Sequence, residues 1–323
     1  MKQLQRVLCA IDLSDLSAAP LKTAATIQRW FGSFVTVLHV VPTFDALEVH
    51  NGGWFDPVSI AYSRTQDEVV EKIRDISLKA GIPQDRVRFL AVAGQPAAEI
   101  LDQAAAARIE LIIIGTNGLH GIDRLLLGSV ADTVLRRATC DVLSVPPRAR
   151  REPARFATIV CGVDFSQESV YAVRAAFALA DRVAARVVLV HAVEWLPEEQ
   201  PADAVDFNVS DFRARLVHDA QRRLGALVVE ESPLARAVRV KAVSGRAYRE
   251  ILRVATEERA DLIAVGHRGR SRAAVPLLGS TVDGIVRGAS CPVLTIRAPH
   301  ERVDACSAPA VQATAPEPSA AKT

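Results

Sequence analysis

Residues 111–130 read LIIIGTNGLHGIDRLLLGSV, and residues 262–281 read LIAVGHRGRSRAAVPLLGST. Each opens as a short apolar run, breaks at a glycine and then follows one spacing: Gly, two residues, Gly, nine residues, Gly-Ser. The first copy puts these at Gly115, Gly118, Gly128 and Ser129; the second puts them at Gly266, Gly269, Gly279 and Ser280, 151 residues later. An apolar run ending in a glycine loop reads as a strand that delivers bare backbone N–H groups to one end of a sheet, where they suit a phosphate.

The repeat extends well beyond the loops. VLCAIDLS at 7–14 returns as IVCGVDFS at 159–166, aligning Asp12 with Asp164. VTVLHVV at 35–41 returns as VVLVHAV at 187–193, aligning His39 with His191, and AVAGQPAAEIL at 91–101 returns as AVSGRAYREIL at 242–252. TCDVLSV at 139–145 matches SCPVLTI at 290–296. Offsets that stay at 151 or 152 residues leave room for few insertions, so one domain-sized fold has been duplicated. The division expected is a first domain over 1–147, a linker over 148–156, a second domain over 157–298 and a disordered Ala/Pro-rich tail over 299–323.

Within each half, short Val/Ile/Leu-rich runs alternate with longer amphipathic stretches. Strands are expected near 6–11, 35–41, 87–92, 111–114 and 142–145, and again near 158–163, 186–192, 238–243, 262–265 and 293–296. Helices are expected near 17–31, 65–80, 96–108 and 129–138, then 168–182, 211–227, 247–259 and 280–288. This alternation predicts the α/β class: two tandem doubly wound, Rossmann-like domains, each a five-stranded parallel sheet with flanking helices. Ligands of such sheets bind beyond the carboxyl ends of the strands, where Asp12, His39 and Gly115 fall. The last strands of the two halves, 142–145 and 293–296, are expected to pair into an internal pseudo-dimer, with a homodimer of chains as a further expectation.

Composition narrows the setting. The 323 residues carry a formal net charge of +2, which argues against nucleic acid or an anionic membrane as a bulk electrostatic partner. MKQLQRVLCAID enters the first strand without a signal-peptide core, and no apolar stretch approaches the ~20 residues of a membrane span, so a cytoplasmic protein is expected. Of the five cysteines, Cys9, Cys161, Cys140 and Cys291 lie in or beside apolar strands as small hydrophobes, and Cys306 stands alone in the tail. No Cys/His cluster has metal-ligand spacing. Residues 42–63, with Gly52, Gly53 and Trp54, form a long connection that reads equally as a lid or as a locally packed loop.

A first strand ending in Asp, a second ending near His-Val, a Gly-x-Pro segment before a helix and the G-x2-G-x9-G-[ST] loop together resemble the universal stress protein family. The likeness spans nearly all of 4–146 and 156–297, and the intact glycine pattern resembles that of the ATP-binding branch. The resemblance implies ATP, with Mg²⁺, as cofactor. It implies that Gly115, Gly118, Gly128, Ser129 and Val130 surround the triphosphate in the first half. Gly266, Arg268, Gly269, Gly279, Ser280 and Thr281 would do so in the second. Asp12 and Asp164 would meet the ribose or hold Mg²⁺ through water, Val40 and Ala192 would offer backbone to the adenine edge, and Ala10, Ile11, Gly162 and Val163 would flank the pocket.

Local readings compete with several of these roles. Ser129-x-x-Asp132 and Ser280-x-x-Asp283 read as capping boxes, a role compatible with a phosphate contact. Asp12 and Asp164 could cap the helix that follows, and His39 and His191 read as packed or hydrogen-bonded strand ends. The halves also differ: HRGRSR at 267–272 carries Arg268, Arg270 and Arg272 where the first loop has only Arg124 further along, and Asp141 stands where the second half has Pro292. No nucleophile–base set, Walker lysine or repeated carboxylate pair is present, so no catalytic residue is expected. The expected function is an ATP-binding stress-response protein that acts through nucleotide-dependent conformation or assembly on a protein partner. An adenylate-transferring enzyme on a related scaffold and an adaptor without nucleotide are the alternatives.

Overall fold

The computed structural model describes residues 4–43, 58–116, 127–147, 156–194, 209–231, 238–269 and 278–298. The middle of the 42–63 connection, Gly118, Arg124, Arg270, Arg272, most of the linker, and the tail with Cys306 lie outside the described residues.

In the first half, strands β1 (Arg6–Ile11), β2 (Phe34–Pro42), β3 (Val87–Gly94), β4 (Leu111–Gly115) and β5 (Asp141–Val145) alternate with helices α1 (Ala18–Phe31), α2 (Val58–Lys79), α3 (Pro96–Ala106) and α4 (Ser129–Arg137). The second half repeats the order with β6 (Thr158–Gly162), β7 (Arg186–Val193), β8 (Val238–Ser244), β9 (Leu262–Gly266) and β10 (Val293–Ile296). Its helices are α5 (Gln167–Val183), α6 (Val209–Glu231), α7 (Ala247–Glu257) and α8 (Ser280–Gly288). The 42–63 connection is shorter than its sequence suggests, because α2 already begins at Val58.

Each half is a parallel sheet, and the two join into one ten-stranded sheet of order β3-β2-β1-β4-β5-β10-β9-β6-β7-β8. β6, β9 and β10 are buried throughout and β4 along all but its final glycine, as Val/Ile/Leu runs with helices on both faces require. The edge strands β3 and β8 carry Arg88, Arg239 and Lys241 and are only partly buried, which blunts them against further pairing. One apolar layer lies under α1, α2, α5 and α6, with Leu21, Ile73, Val173 and Leu224 at its centre. The opposite layer, around Ile100, Val134, Ile251 and Ile285, lies under α3, α4, α7 and α8. Both layers contain residues of both halves, so the two cores are continuous across the junction.

The junction is the antiparallel pair β5–β10, with Leu143 opposite Leu294 and Ser144 opposite Val293. The Asp141/Pro292 difference leaves the pairing intact but makes its two ends unlike. At one end the Arg297 amide donates to Asp141 Oδ1 at 2.9 Å, and the Arg297 guanidinium donates to the carbonyls of Leu135 and Arg136 at the end of α4, at 2.8 and 2.9 Å. A cation on the last carbonyls of a helix is favoured by its dipole. At the other end the repeat-equivalent positions are Pro292 and Pro146, which offer no amide hydrogen.

Backbone strain is duplicated along with the fold. Leu13 and Phe165, the residues after the two aspartates, have φ of 61° and 63°, and Arg108 and Arg259 have 50° and 52°. Gly94 and Gly245, at φ 150° and 146°, turn β3 and β8 into the next helix, and a Cβ on either would collide with Glu99 or Glu250. That explains the glycine of each Gly-x-Pro or Gly-x-Ala segment.

Candidate functional site

β1 lies between β2 and β4, and β6 between β7 and β9, so in each half the chain leaves the first strand's carboxyl end toward opposite faces. The crevice that opens there is the switch point of a doubly wound sheet.

Asp12 follows β1 directly. Its Oδ1 accepts from the Ser14 amide at 3.0 Å, the Ser14 hydroxyl at 2.6 Å and the Ser17 hydroxyl at 2.9 Å. The cap itself is Ser14, which accepts from the Leu16 amide, so the aspartate shapes the capping turn without being the cap. Asp164 repeats the arrangement with the Ser166 amide and hydroxyl at 2.9 and 2.5 Å, and Ser166 caps α5 through the Ser169 amide. Burial alone would raise the Asp12 pKa, but the Ser14 and Ser17 hydrogen bonds outweigh it and hold the carboxyl below its ordinary value. Asp12 Oδ2 is buried with no hydrogen-bond partner. One oxygen of an ionised carboxylate builds the loop, and the other has no hydrogen-bond partner among the described residues.

The histidines have the structural role. His39 Nδ1 bonds the Ile11 carbonyl at 3.0 Å, and His191 Nδ1 bonds the Val163 carbonyl at 2.7 Å, each tying the second strand of its half to the residue just before the aspartate. Burial lowers the His39 pKa against the smaller raising effects of Ile11 and Asp12, which keeps the ring neutral at pH 7. A neutral ring facing a carbonyl donates from Nδ1.

In the second half the crevice is a cleft of about 800 Å³ that touches Gly162, Val163, Asp164, Ala192, Gly266, Arg268, Gly269, Gly279, Ser280 and Thr281, the residues that the family resemblance put at a nucleotide there. The glycines have steric reasons that differ from one another. A Cβ on Gly266 would sit 2.8 Å from the Glu168 backbone, so that glycine lets α5 approach β9. A Cβ on Gly269 would sit 2.7 Å from Asp164 Oδ2, which places the carboxylate directly against the glycine loop. A Cβ on Gly279 would meet nothing nearer than 3.7 Å, so packing does not demand glycine there.

Ser129 and Ser280 are the first residues of α4 and α8. The N-caps are Gly128 and Gly279, and neither helix has a side-chain cap. The capping-box reading therefore fails: Asp132 and Asp283 bind Arg136 and Arg287 one turn on, at 2.8 Å each. The first-turn N–H groups of both helices thus lack a side-chain cap, and Ser280, Thr281 and Val282 at the start of α8 line the cleft. In the first half Ala10, Ile11, Val40, Gly115 and Val130 occupy positions equivalent to the second-half lining, and Gly128 donates to the Thr116 carbonyl at 2.8 Å.

Several lining residues escaped the sequence reading. Leu216, Asp219, Ala220 and Arg223 form one stripe of α6 along the cleft, and the Arg223 guanidinium stacks 3.9 Å over the Phe165 ring. Their spacing announced a helix face but not what it faced. Glu194 accepts from the Ala247 amide at 2.6 Å and so places a carboxylate at the N-terminus of α7. His267 is wholly buried beside the glycine loop, its ring nitrogens without partners, and is held neutral by burial and then by Arg297, Arg268 and Arg136, its pKa lowered to about 3.

Comparison with known proteins agrees with this architecture. The profile of the universal stress protein family matches residues 3–146 and again 155–297. Universal stress protein A homolog 1 of Coxiella burnetii is 32% identical over 143 residues, covering 44% of this chain and 95% of that protein. Universal stress protein YxiE of Bacillus subtilis is 29% identical over 147 residues, covering 43% of this chain and 97% of that protein. The crystal structure of a universal stress protein from Archaeoglobus fulgidus superposes with a TM-score of 0.65 at 22% identity, covering 92% of this chain and 97% of that one. Each single-domain relative matches about half of the chain, as a tandem arrangement requires.

Proposed function

The chain belongs to the universal stress protein family, and we propose that it binds one ATP in each half and acts in the stress response through nucleotide-dependent conformation or assembly. The observation that carries this is the second-half cleft, where an aspartate, a glycine loop and an uncapped helix N-terminus meet. Adenine would lie against Ala192, Val193 and Ile251, and the ribose beside Asp164. The phosphates would take the amides of Gly269, Ser280 and Thr281, aided by the dipole of α8. Arg268 adds a guanidinium at that end. In the first half the corresponding set is Ala10, Ile11, Asp12, Val40, Gly115, Gly128, Ser129 and Val130, with Gly118 added by its place in the motif.

Mg²⁺ fits this donor set in a limited way. Among the described residues no group of three or more His, Cys, Asp or Glu side chains could hold a metal. A single buried carboxylate oxygen such as Asp12 Oδ2 suits an ion whose other ligands are water and phosphate oxygens. In that setting the metal would neutralise phosphate charge.

The test is to denature the purified chain and measure the nucleotide released. About two adenine nucleotides per chain are expected, falling to about one in Gly279→Val, at a position where an added Cβ meets nothing nearer than 3.7 Å. No nucleotide released, and no heat on titrating Mg-ATP, would overturn the reading in favour of an adaptor. Transfer of an adenylate group to an acceptor would favour the enzyme.

A further inference from the structure

The uncapped helices of the two sites meet across the domain junction. Asp132 and Arg136 of α4 form a bidentate pair at 2.8 and 2.9 Å, and Asp283 and Arg287 of α8 form its counterpart at 2.8 and 3.0 Å. The pairs also reach each other: Arg136 Nη2 lies 3.8 Å from Asp283 Oδ1, and Arg287 Nη2 lies 4.0 Å from Asp132 Oδ1. Each arginine thus has one carboxylate at home and a second across the junction, contacted through the same nitrogen. All four side chains are only 28–33% exposed, so solvent screens them incompletely. The cluster is neutral as a whole, with two cations shared between two anions.

Each aspartate sits three residues into a helix whose N-terminus faces a proposed phosphate site. At 1.5 Å per residue it stands about one turn from that site, within the Debye length of about 8–10 Å at ordinary salt. We propose that this four-charge cluster couples the two sites negatively: a polyanion bound at one makes the second bind more weakly. The inference rests on the reading that both sites take nucleotide phosphates. A triphosphate at Ser129 deepens the negative potential at Asp132 and draws Arg287 across the junction toward it. Asp283 then loses part of its counter-charge, and the N-terminus of α8 becomes a poorer place for a second polyanion. The exchange of one partner for the other supplies the discrete alternative that coupling needs. By linkage the effect is the same whichever site fills first.

Arg297 reinforces the mechanical side of this contact. Its guanidinium is bonded to the end of α4 while its amide is held by Asp141, so α4 cannot drift from β10 as the charges redistribute. With the backbones fixed, an arginine that moves toward one aspartate must leave the other.

The experiment is calorimetric titration of the full chain with Mg-ATP, alongside Gly279→Val and Gly128→Val, placed at the N-caps of α8 and α4 to block one site each. The product of the two wild-type association constants, divided by the product of the two single-site constants, is the coupling factor. A factor of about 0.2 is expected near 0.05 M salt, the weak end of ordinary coupling because the cluster is partly exposed. It should rise to about 1 near 1 M salt, where the Debye length is about 3 Å. It should also rise to about 1 in the neutralised chain D132N/R136Q/D283N/R287Q. A factor of 1 at low salt overturns the proposal, as does a low factor that salt and neutralisation both leave unchanged. If no site binds nucleotide, the reading of the sites themselves fails, and that result appears as a lack of heat in every variant.

Discussion

Replacing His267 by threonine, the residue its repeat-equivalent Thr116 already supplies, should flatten the acid limb of the stability curve. His267 is fully buried and its ring makes no hydrogen bond. Burial, followed by the neighbouring Arg297, Arg268 and Arg136 charges, lowers its pKa from 6.5 to about 3. The folded-state value is the depressed one, so the unfolded chain takes up a proton below pH 6.5 that the folded chain refuses until about pH 3. Stability is therefore unaffected by this group above pH 6.5 and falls as the pH drops through that window. At pH 5 the loss is about 2 kcal/mol relative to pH 7, and it reaches about 4 kcal/mol near pH 3. Urea unfolding at pH 7 and pH 5, followed by circular dichroism, measures it. Groups common to both chains, His39 among them, cancel when the wild-type difference is compared with that of His267→Thr. The variant should lose about 2 kcal/mol less than wild type over this interval. Equal losses in the two chains, within about 0.5 kcal/mol, would refute the assignment of a buried neutral ring.

Three further outcomes are expected. Gly266→Ala should destabilise by about 1–3 kcal/mol, because its Cβ would press on the Glu168 backbone at 2.8 Å, whereas Gly279→Ala should stay within about 0.5 kcal/mol of wild type in thermal unfolding. Asp141→Ala removes the acceptor of the Arg297 amide and should cost about 1–3 kcal/mol, with faster hydrogen exchange at that amide, while Asp141→Asn should retain most of the stability. Ala184 ends α5 at φ 54°, where its repeat-equivalent Gly32 ends α1 at φ 65°, so Ala184→Gly should raise stability by up to about 1 kcal/mol and Gly32→Ala should lower it by a similar amount, both read from thermal melts.

The sequence by itself determined the duplication, the α/β class and the parallel strands, and it named residues that line the second-half cleft. These follow from local rules: apolar period reports strand and helix, and strand ends carry the ligand-facing loops. Asp12, Gly115 and Gly266 were readable because each stands at the carboxyl end of a strand. The capping alternative for Ser129 and Ser280 stayed open in the sequence because Ser-x-x-Asp looks alike whether the aspartate bonds backward to the cap or forward to an arginine one turn on. The forward pairs are local, one helical turn apart; what only the tertiary structure decided is that Arg136 and Arg287 also reach the aspartate of the other half. It likewise decided that α6 turns Asp219 and Arg223 to the cleft, that His267 is sealed from water, and that Asp141 receives an amide 156 residues away. Such contacts depend on how the two halves dock along β5 and β10, and the free energy of docking comes from burying surfaces that no local period describes.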